Sequence, residues 1–300
     1  MAVWNASRPL DDEDLQLALY CSYELTYRGF AGVEDELEWD ASTLELRRRL
    51  ERWFETALRA EVRLPEGDDP AAAVDALLQR PNPSLAAFLE RATAQQFREL
   101  LVLRSAYQSK EADPHSWALP RHAGRAKRAL AEIQAGEYGV GHRHTHAELF
   151  GECLAAAGLD PVYGAHLDRI PGLWLAGVNL ISLFGLHRRL RGALLGHLAL
   201  FEMDSVEPSA RLLAAARRLG FDEVVQRVFA VHVVADVEHA TLAESGLLRA
   251  YAEDEPGQRD NVVFGAAALW HLERLATSQA LEGWRCGDSA LRPASQRRTA

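Results

Sequence analysis

The stretch from Phe229 to Leu242, FAVHVVADVEHATL, carries three candidate metal ligands whose spacing favours a helix. His232, Asp236 and His239 follow one another at spacings of four and three residues, so on an α-helix they share a wedge of roughly 60° at ~100° per residue. The valines also suit a strand, but on a strand His239 would point away from the other two. Two imidazoles and a carboxylate on one helix face are typical of a metal site. The alternative is a pair of hydrogen-bonded core histidines with an exposed acid.

Apolar residues recur at helical spacing through nearly the whole chain, and we find no alternation typical of a strand. Proline and glycine fall between the periodic segments, and the short connections favour antiparallel neighbours. The sequence therefore predicts an all-α protein. The predicted helices are Asp14–Leu25, Ala41–Leu58, Pro83–Gln108, His122–Gln134, Thr145–Ala157, Gly172–Phe201, Pro208–Leu219, Asp222–Tyr251 and Asn261–Trp284.

The composition is that of a soluble globular protein, with 300 residues of which 48% are apolar and 25% charged. The formal net charge of −10 argues against a nucleic-acid partner, since such proteins normally present a basic surface. The most apolar stretch, residues 173–186, is too short to cross a membrane and predicts a buried core helix. The N-terminal residues lack the pattern of a signal peptide, and the 3 cysteines form no CxxC pair. We therefore expect a cytoplasmic protein without a disulfide framework or a thiolate metal site.

The domain organisation follows from shifts in hydrophobicity. Residues 1–80 are less apolar and contain a Pro, Gly and Asp-rich break at 65–70, so we expect an N-terminal helical extension that packs on the core. Residues 81–285 would form the main helical domain. Residues 286–300 end in a polar and basic segment, and we expect a disordered tail there.

Two acidic residues near predicted helix ends are further candidate ligands. Glu202 ends the long apolar helix predicted from Gly172, and an unpaired carboxylate buried there would cost several kcal/mol. Glu111 lies near a helix end that we expect Pro114 to terminate. The alternative for Glu202 is a helix-end acid that has already reached solvent. The alternative for Glu111 is an ordinary helix C-terminus, and competing polar candidates beside it are Lys110, Asp113 and His115.

Residues 132–150, EIQAGEYGVGHRHTHAELF, hold a third acid beside a glycine-rich turn. Glycines allow the backbone to bend so that Glu137 and residues after the turn can face one centre. Three histidines follow, and spacing alone does not choose among His142, His144 and His146. A solvated polar turn is the alternative.

Together these candidates supply four carboxylates and three histidines from separate predicted helices. Four carboxylates would neutralise two divalent ions, so the group could be buried without a net charge. Oxygen and nitrogen ligands without cysteine favour iron or manganese over structural zinc.

Four motifs carry a resemblance to a known family: KEADPHSWALPR at 110–121, EYGVGHRHTHAELF at 137–150, LHRRLRGALLGHLALFEMDS at 186–205 and HVVADVEH at 232–239. In this order they resemble the heme-oxygenase-like diiron oxidases and oxygenases, often described as iron-containing redox enzymes, over roughly Ser105 to Trp284. LYCSYELTYRGFAGV at 19–33 is similar to the actinobacterial branch. The resemblance implies a heme-oxygenase-like helical bundle. A ferritin-like protein would instead use two Glu-x-x-His pairs, which we do not find.

The resemblance also implies a ligand set for two irons. His146 is preferred over His144 because it stands directly before the apolar AELF segment, and Glu111 corresponds to a ligand present in only some members. His232, Asp236 and His239 would hold one iron, Glu137 and His146 the other, and Glu202 would bridge. The implied ligands are Glu111, Glu137, His146, Glu202, His232, Asp236 and His239.

The activity implied by the resemblance is oxidation of a small organic metabolite by O2 at two Fe ions, with manganese as the other metal that these ligands accept. N-oxygenation, oxidative C–C cleavage and desaturation all fit, as do an external electron donor and a homodimer. Aromatic residues near the ligands could line a substrate pocket or belong to the core, namely Tyr107, Tyr138, Phe150, Phe201 and Phe229. Two alternatives are an iron-binding or storage protein without oxidase activity, and a metal-free helical binding protein whose polar cluster is a hydrogen-bond network.

Overall fold

Helices account for the regular structure of the protein, in agreement with the predicted all-α class. The computed structural model describes residues 8–67, 69–81 and 85–293, and within these ranges no strand occurs. None of the helices in these ranges is both long and apolar enough to cross a lipid bilayer. The helices are α1 (Glu13–Glu24), α2 (Ala41–Glu61), α3 (Pro70–Leu78), α4 (Leu85–Leu89), α5 (Ala94–Gln108), α6 (Asp113–Ser116), α7 (Gly124–Glu137), α8 (His146–Ala156), α9 (Gly172–Leu186), α10 (Arg191–Met203), α11 (Val206–Arg218), α12 (Glu223–Leu242), α13 (Tyr251–Asp254) and α14 (Arg259–Cys286).

Polar side chains fix the starts of two helices that carry candidate ligands. The Thr145 Oγ1 accepts a hydrogen bond from the Glu148 backbone N–H at 3.1 Å, and the Glu148 carboxylate accepts one from the Thr145 N–H at 2.8 Å. This capping box makes His146 the first residue of α8. Asp222 caps α12 by accepting a hydrogen bond from the Val224 N–H at 2.9 Å.

The long helix predicted over Gly172–Phe201 is in fact two helices, α9 and α10. The carbonyl oxygens of Gly185 and Leu186, which a continuing helix would use, accept hydrogen bonds from the Arg121 guanidinium instead. Glu202 therefore lies near the end of a shorter helix, α10.

Three further differences from the predicted helices are larger than a shift of a few residues at an end. Thr93 caps α5, so the helix predicted over Pro83–Gln108 is divided into α4 and α5. The helix predicted over Asp222–Tyr251 changes after Leu242 into a π-helical segment, Ala243–Ala250. The short helix α3, which the sequence interpretation missed, starts at Pro70 directly after a capping aspartate.

The helices α9, α10 and α14 pack together in the main hydrophobic core. As predicted, the stretch 173–186 is largely buried, with Leu175, Leu180 and Phe184 fully so. Between α10 and α14 the backbones approach closely, since a Cβ on Gly196 would lie 1.9 Å from the carbonyl oxygen of Val262. Glycine permits this contact because it has no side chain.

Residues before position 80 share this core. Leu19 of α1, Phe54 of α2 and Leu77 of α3 are fully buried in one cluster with Leu180 and Leu269. The first helix packs on α9, and α3 packs on α14.

The chain after α14 continues along the surface of the helices. The Ala290 N–H donates to Glu99 Oε2 at 2.9 Å, and the Arg292 N–H donates to the Arg169 carbonyl oxygen at 2.9 Å. Ala290 and Arg292 are thus bonded to the rest of the protein, which differs from the disordered tail expected from residue 286. Residues 294–300 of that expected tail lie outside the described residues.

Candidate metal centre

Five parts of the fold bring all seven predicted ligand residues together in the interior. Two groups result, which we call cluster 1 (Glu111, Glu137, His146, His232) and cluster 2 (Glu137, Glu202, Asp236, His239). In each cluster every residue offers one ligand atom, and these atoms all lie within 4.8 Å of one another. Glu137, the last residue of α7, belongs to both clusters.

In cluster 1, His146 is the central side chain. Its Nε2 lies 2.6 Å from Glu111 Oε2, and its Nδ1 lies 3.4 Å from Glu137 Oε2. The rings of His146 and His232 meet edge to face, with their centroids 4.3 Å apart. His232 Nδ1 lies 2.5 Å from the carbonyl oxygen of Val228, so it carries the proton and donates, which leaves Nε2 free to bind a metal.

In cluster 2, His239 faces three carboxylates. Its Nδ1 lies 3.3 Å from Glu137 Oε1, 3.3 Å from Glu202 Oε2 and 3.8 Å from Asp236 Oδ1. All four residues are buried. The arrangement therefore concentrates three acidic groups around one imidazole in a region of low dielectric.

Burial and opposite charge together set the protonation of these groups. Burial would lower the pKa of His146, but the carboxylates of Glu111 and Glu137 raise it to about 10. Burial would likewise lower the pKa of His239, and its carboxylate neighbours raise it to about 10. Burial raises the pKa of Glu202 to about 8. Since metals bind the neutral imidazole and the ionised carboxylate, ion binding would release protons from these residues.

The donor set fits a metal. Both carboxylate oxygens of Asp236 are buried and make no hydrogen bond among the described residues, and Nδ1 of His146 and of His239 are buried beside carboxylates without a well-aligned hydrogen bond. Buried polar atoms without partners are costly, and a cation placed among them would satisfy them. Oxygen and nitrogen donors without a thiolate suit iron or manganese.

The grouping of the ligands differs from the expected one. His232 lies with His146 in cluster 1, while Asp236 and His239 lie in cluster 2. The angles between the side chains around the helix axis led to the expectation, but the rise along the axis separates the two histidines. His232 and His239 are seven residues apart, which is about 10 Å along the helix and too far for both to hold one ion. Glu137 rather than Glu202 is the residue common to both clusters.

The structure separates His144 from the clusters. Its side chain is 29% exposed, and its Nδ1 lies 3.6 Å from Glu152 Oε1. It belongs to neither group, whereas His146 is central to cluster 1. Pro114 does not end a helix at Glu111 as expected, because α5 already ends at Gln108 and Pro114 lies in the first turn of α6.

Two supporting residues were missed by the sequence interpretation. The Gln108 Nε2 donates to Glu111 Oε2 at 2.8 Å, and Gln108 Oε1 lies 2.9 Å from His146 Nε2. Gly136 makes room for an imidazole, since a Cβ there would lie 2.6 Å from His239 Nε2. Two features of the sequence could have indicated these residues. Gln108 lies three residues before Glu111, and Gly136 is a glycine inside a helix next to Glu137.

A cavity of about 380 Å³ adjoins both clusters. Five candidate ligands contribute to its wall, namely Glu111, Glu137, Glu202, His232 and Asp236. Of the aromatic residues considered from the sequence, Tyr107, Phe201 and Phe229 line the cavity. Phe150 packs in a separate hydrophobic cluster, and Tyr138 lies partly exposed with its hydroxyl 2.7 Å from Ser116 Oγ.

Comparison with known protein families decides the relationship. Residues 98–274 match the family described as iron-containing redox enzymes, whose superfamily is haem oxygenase-like. The chain belongs to this family. The matched region contains all seven residues of the two clusters, and it accounts for the all-α fold. No curated protein matches the chain.

Proposed function

We propose that this iron-containing redox enzyme is a non-haem diiron oxidase or oxygenase that uses O2 to oxidise a small organic molecule. The observation that carries the proposal is the pair of adjoining clusters that share Glu137 and border one cavity. Four carboxylates balance the charge of two divalent ions in a buried site. When bound, iron would supply the binding and reduction of O2, and manganese is the alternative metal.

The protein's own residues would hold and orient the ligands. Gln108 contacts both Glu111 and His146, and the Val228 carbonyl orients the His232 ring. Such partners set the tautomer and direction of a ligating imidazole. Glu137 would keep the two metal positions adjacent, because it reaches both clusters from the end of one helix.

The cavity supports a small substrate with both apolar and polar parts. Phe201 and Phe229 provide aromatic wall, while Arg104 and Glu273 bring a guanidinium and a carboxyl group to the same cavity. Among the described residues Arg104 has no ion-pair partner within 4.0 Å, so its guanidinium is available to an anionic group of a ligand. N-oxygenation, C–C cleavage and desaturation all suit such a site, and an external electron donor, a homodimer and a cytoplasmic location stay predictions.

An anaerobic Fe(II) titration of metal-free protein, followed by rapid mixing with O2, tests the proposal. We expect two Fe(II) per chain, then O2 consumption with a transient visible absorbance band. His146→Ala should lose iron from cluster 1, whereas His144→Ala, a matched change two residues away, should keep both irons. Glu137→Ala should lose both, because that residue belongs to both clusters.

Two outcomes would contradict the proposal. Absence of stoichiometric iron would favour the metal-free binding protein. Iron uptake that continues past two ions per chain without oxidation of any added organic molecule would favour the storage protein.

A further inference from the structure

The turn that carries Glu111 has an unusual backbone. Ala112 has φ 76°, a left-handed conformation that a residue with a side chain rarely adopts. Within the turn, the Asp113 N–H donates to the Lys110 carbonyl oxygen at 3.1 Å. A turn of this shape needs contacts from outside to stay in place.

The first helix supplies such contacts through Lys110. The Lys110 Nζ lies 2.9 Å from Glu24 Oε2, and both side chains are only 1% exposed. The ammonium group also lies 4.3 Å from the centre of the Tyr20 ring and 4.5 Å from that of Tyr27. An ammonium group enclosed by a carboxylate and two aromatic faces is held in a defined position, because moving either charge away would leave the other buried and unpaired.

Further contacts extend this anchor. The Tyr163 hydroxyl donates to the second Glu24 oxygen, Oε1, at 2.7 Å. The Arg28 guanidinium lies 4.4 Å from the centre of the Tyr163 ring, and its Nη2 lies 3.5 Å from Asp113 Oδ2. Residues from α1 and the turn after it therefore hold both ends of the segment that carries Glu111.

The same turn is also held by α7. The Gln134 Nε2 donates to the Ala112 carbonyl oxygen at 2.6 Å. Since Glu137 ends α7, this bond ties the turn to the helix that reaches both clusters. The position of Glu111 thus depends on α7, which lies inside the family-matched region 98–274, and on α1, which lies outside it.

We propose that α1 positions Glu111 for cluster 1, through the ion pair of Glu24 with Lys110 and the tyrosine rings around it. Lys110 and Glu24 are positioning residues, since neither belongs to a cluster. Cluster 2 takes no residue from this turn, so loss of the anchor should weaken one metal position and leave the other. The inference rests on the proposed two-metal site.

Anaerobic Fe(II) titration by calorimetry tests the inference. Wild type should bind two Fe(II). Two variants remove the anchor: Lys110→Met, and the double variant Lys110→Met with Glu24→Gln, which leaves no unpaired buried charge. Each should bind one Fe(II) with the wild-type dissociation constant and the other at least tenfold more weakly. Arg125→Met provides the control, because it breaks two exposed ion pairs of α7, with Glu253 at 2.8 Å and with Asp254 at 2.6 Å, and should leave both sites unchanged.

The possible results separate the hypotheses. Two sites of wild-type affinity in the double variant would overturn the positioning role. An equal loss of Fe(II) affinity at both sites, with or without loss of the helical circular dichroism signal, would also overturn the positioning role, since the effect on the protein would then be general. No iron binding by the wild type would refute the two-metal site itself.

Discussion

At the scale of single residues, the metal centre depends on a residue without a side chain, Gly136, as well as on the residues that offer ligand atoms. His239 occupies space beside α7 that any side chain at position 136 would fill. The ring must reach Glu137 and Glu202 at once, with 3.3 Å to each, so a small displacement affects both contacts. Gly136 therefore supports cluster 2 without offering a ligand atom.

Gly136→Ala should reduce metal binding by cluster 2 at least tenfold, because the added Cβ would lie 2.6 Å from His239 Nε2. Fe(II) titration measures the effect. Gly151→Ala is the matched control, since this glycine also lies in a helix and no described atom lies within 4 Å of its added Cβ. Wild-type iron binding by Gly136→Ala would show that the imidazole can move without loss of the site.

At the scale of elements, α12 distributes its ligands along its length. Asp236 and His239 lie about one turn from each other, and His232 lies about two turns before His239, which matches the division into two clusters. The outer side of the same helix leaves Val234 75% exposed and Val237 58% exposed. A prediction from hydrophobic periodicity alone would place those valines in the interior. In this helix the polar residues, rather than the apolar ones, therefore identify the inner face.

The contact between α10 and α14 positions Glu202. A Cβ on Gly196 would lie 1.9 Å from the Val262 carbonyl oxygen, and a backbone atom cannot move aside as a flexible side chain can. We expect Gly196→Ala to lower the free energy of unfolding by about 1–3 kcal/mol or more, through forced separation of the helices.

Urea unfolding of the metal-free protein measures this loss. Gly177→Ala, in α9, is the control, because no atom of the described chain lies within 4 Å of its added Cβ. That variant should gain up to about 1 kcal/mol from helix propensity. Equal stability of the two variants would contradict the close packing of α10 on α14.

At the scale of the whole molecule, buried neutral histidines make the fold sensitive to acid. His115 Nε2 lies 3.2 Å from His197 Nδ1, and each side chain is 1% exposed. Burial lowers the pKa of His115 to about 3 and that of His197 well below its ordinary value. The unfolded chain takes up protons at these residues from pH 6.5 downward, and the folded chain does not.

The contribution of this pair to stability should therefore fall as the pH falls from about 6.5 towards 3. Between pH 7.5 and 5.0 each histidine should contribute a loss of about 2 kcal/mol. From pH 7.5 to 5.0, the double variant His115→Leu with His197→Leu should gain up to about 4 kcal/mol in free energy of unfolding relative to wild type, measured by urea unfolding. His142→Leu, at an exposed position, should keep the pH dependence of the wild type. An unchanged pH dependence in the double variant would mean that the pair takes up protons while folded.

Much of the site could be predicted because its signals are local. The capping box at Thr145 and Glu148 explains why the histidine at position 146, rather than 144, begins a helix. The interruption after Leu186 could not be predicted, because it depends on Arg121, 65 residues away in the chain. The support from Gln108 was missed for a similar reason, since its partner His146 comes from another helix.

The sequence by itself determined the helical class, the resemblance to iron-containing redox enzymes and the seven residues to consider, since these depend on periodicity, motif order and residue type. Only the tertiary structure decided that Glu137 belongs to both clusters and that His232 is separated from His239. It alone brought Glu24 to Lys110 across 86 residues. The physical reason is the same in each case: the rise along a helix and the packing of one helix on another set which side chains meet, and neither is encoded in local spacing.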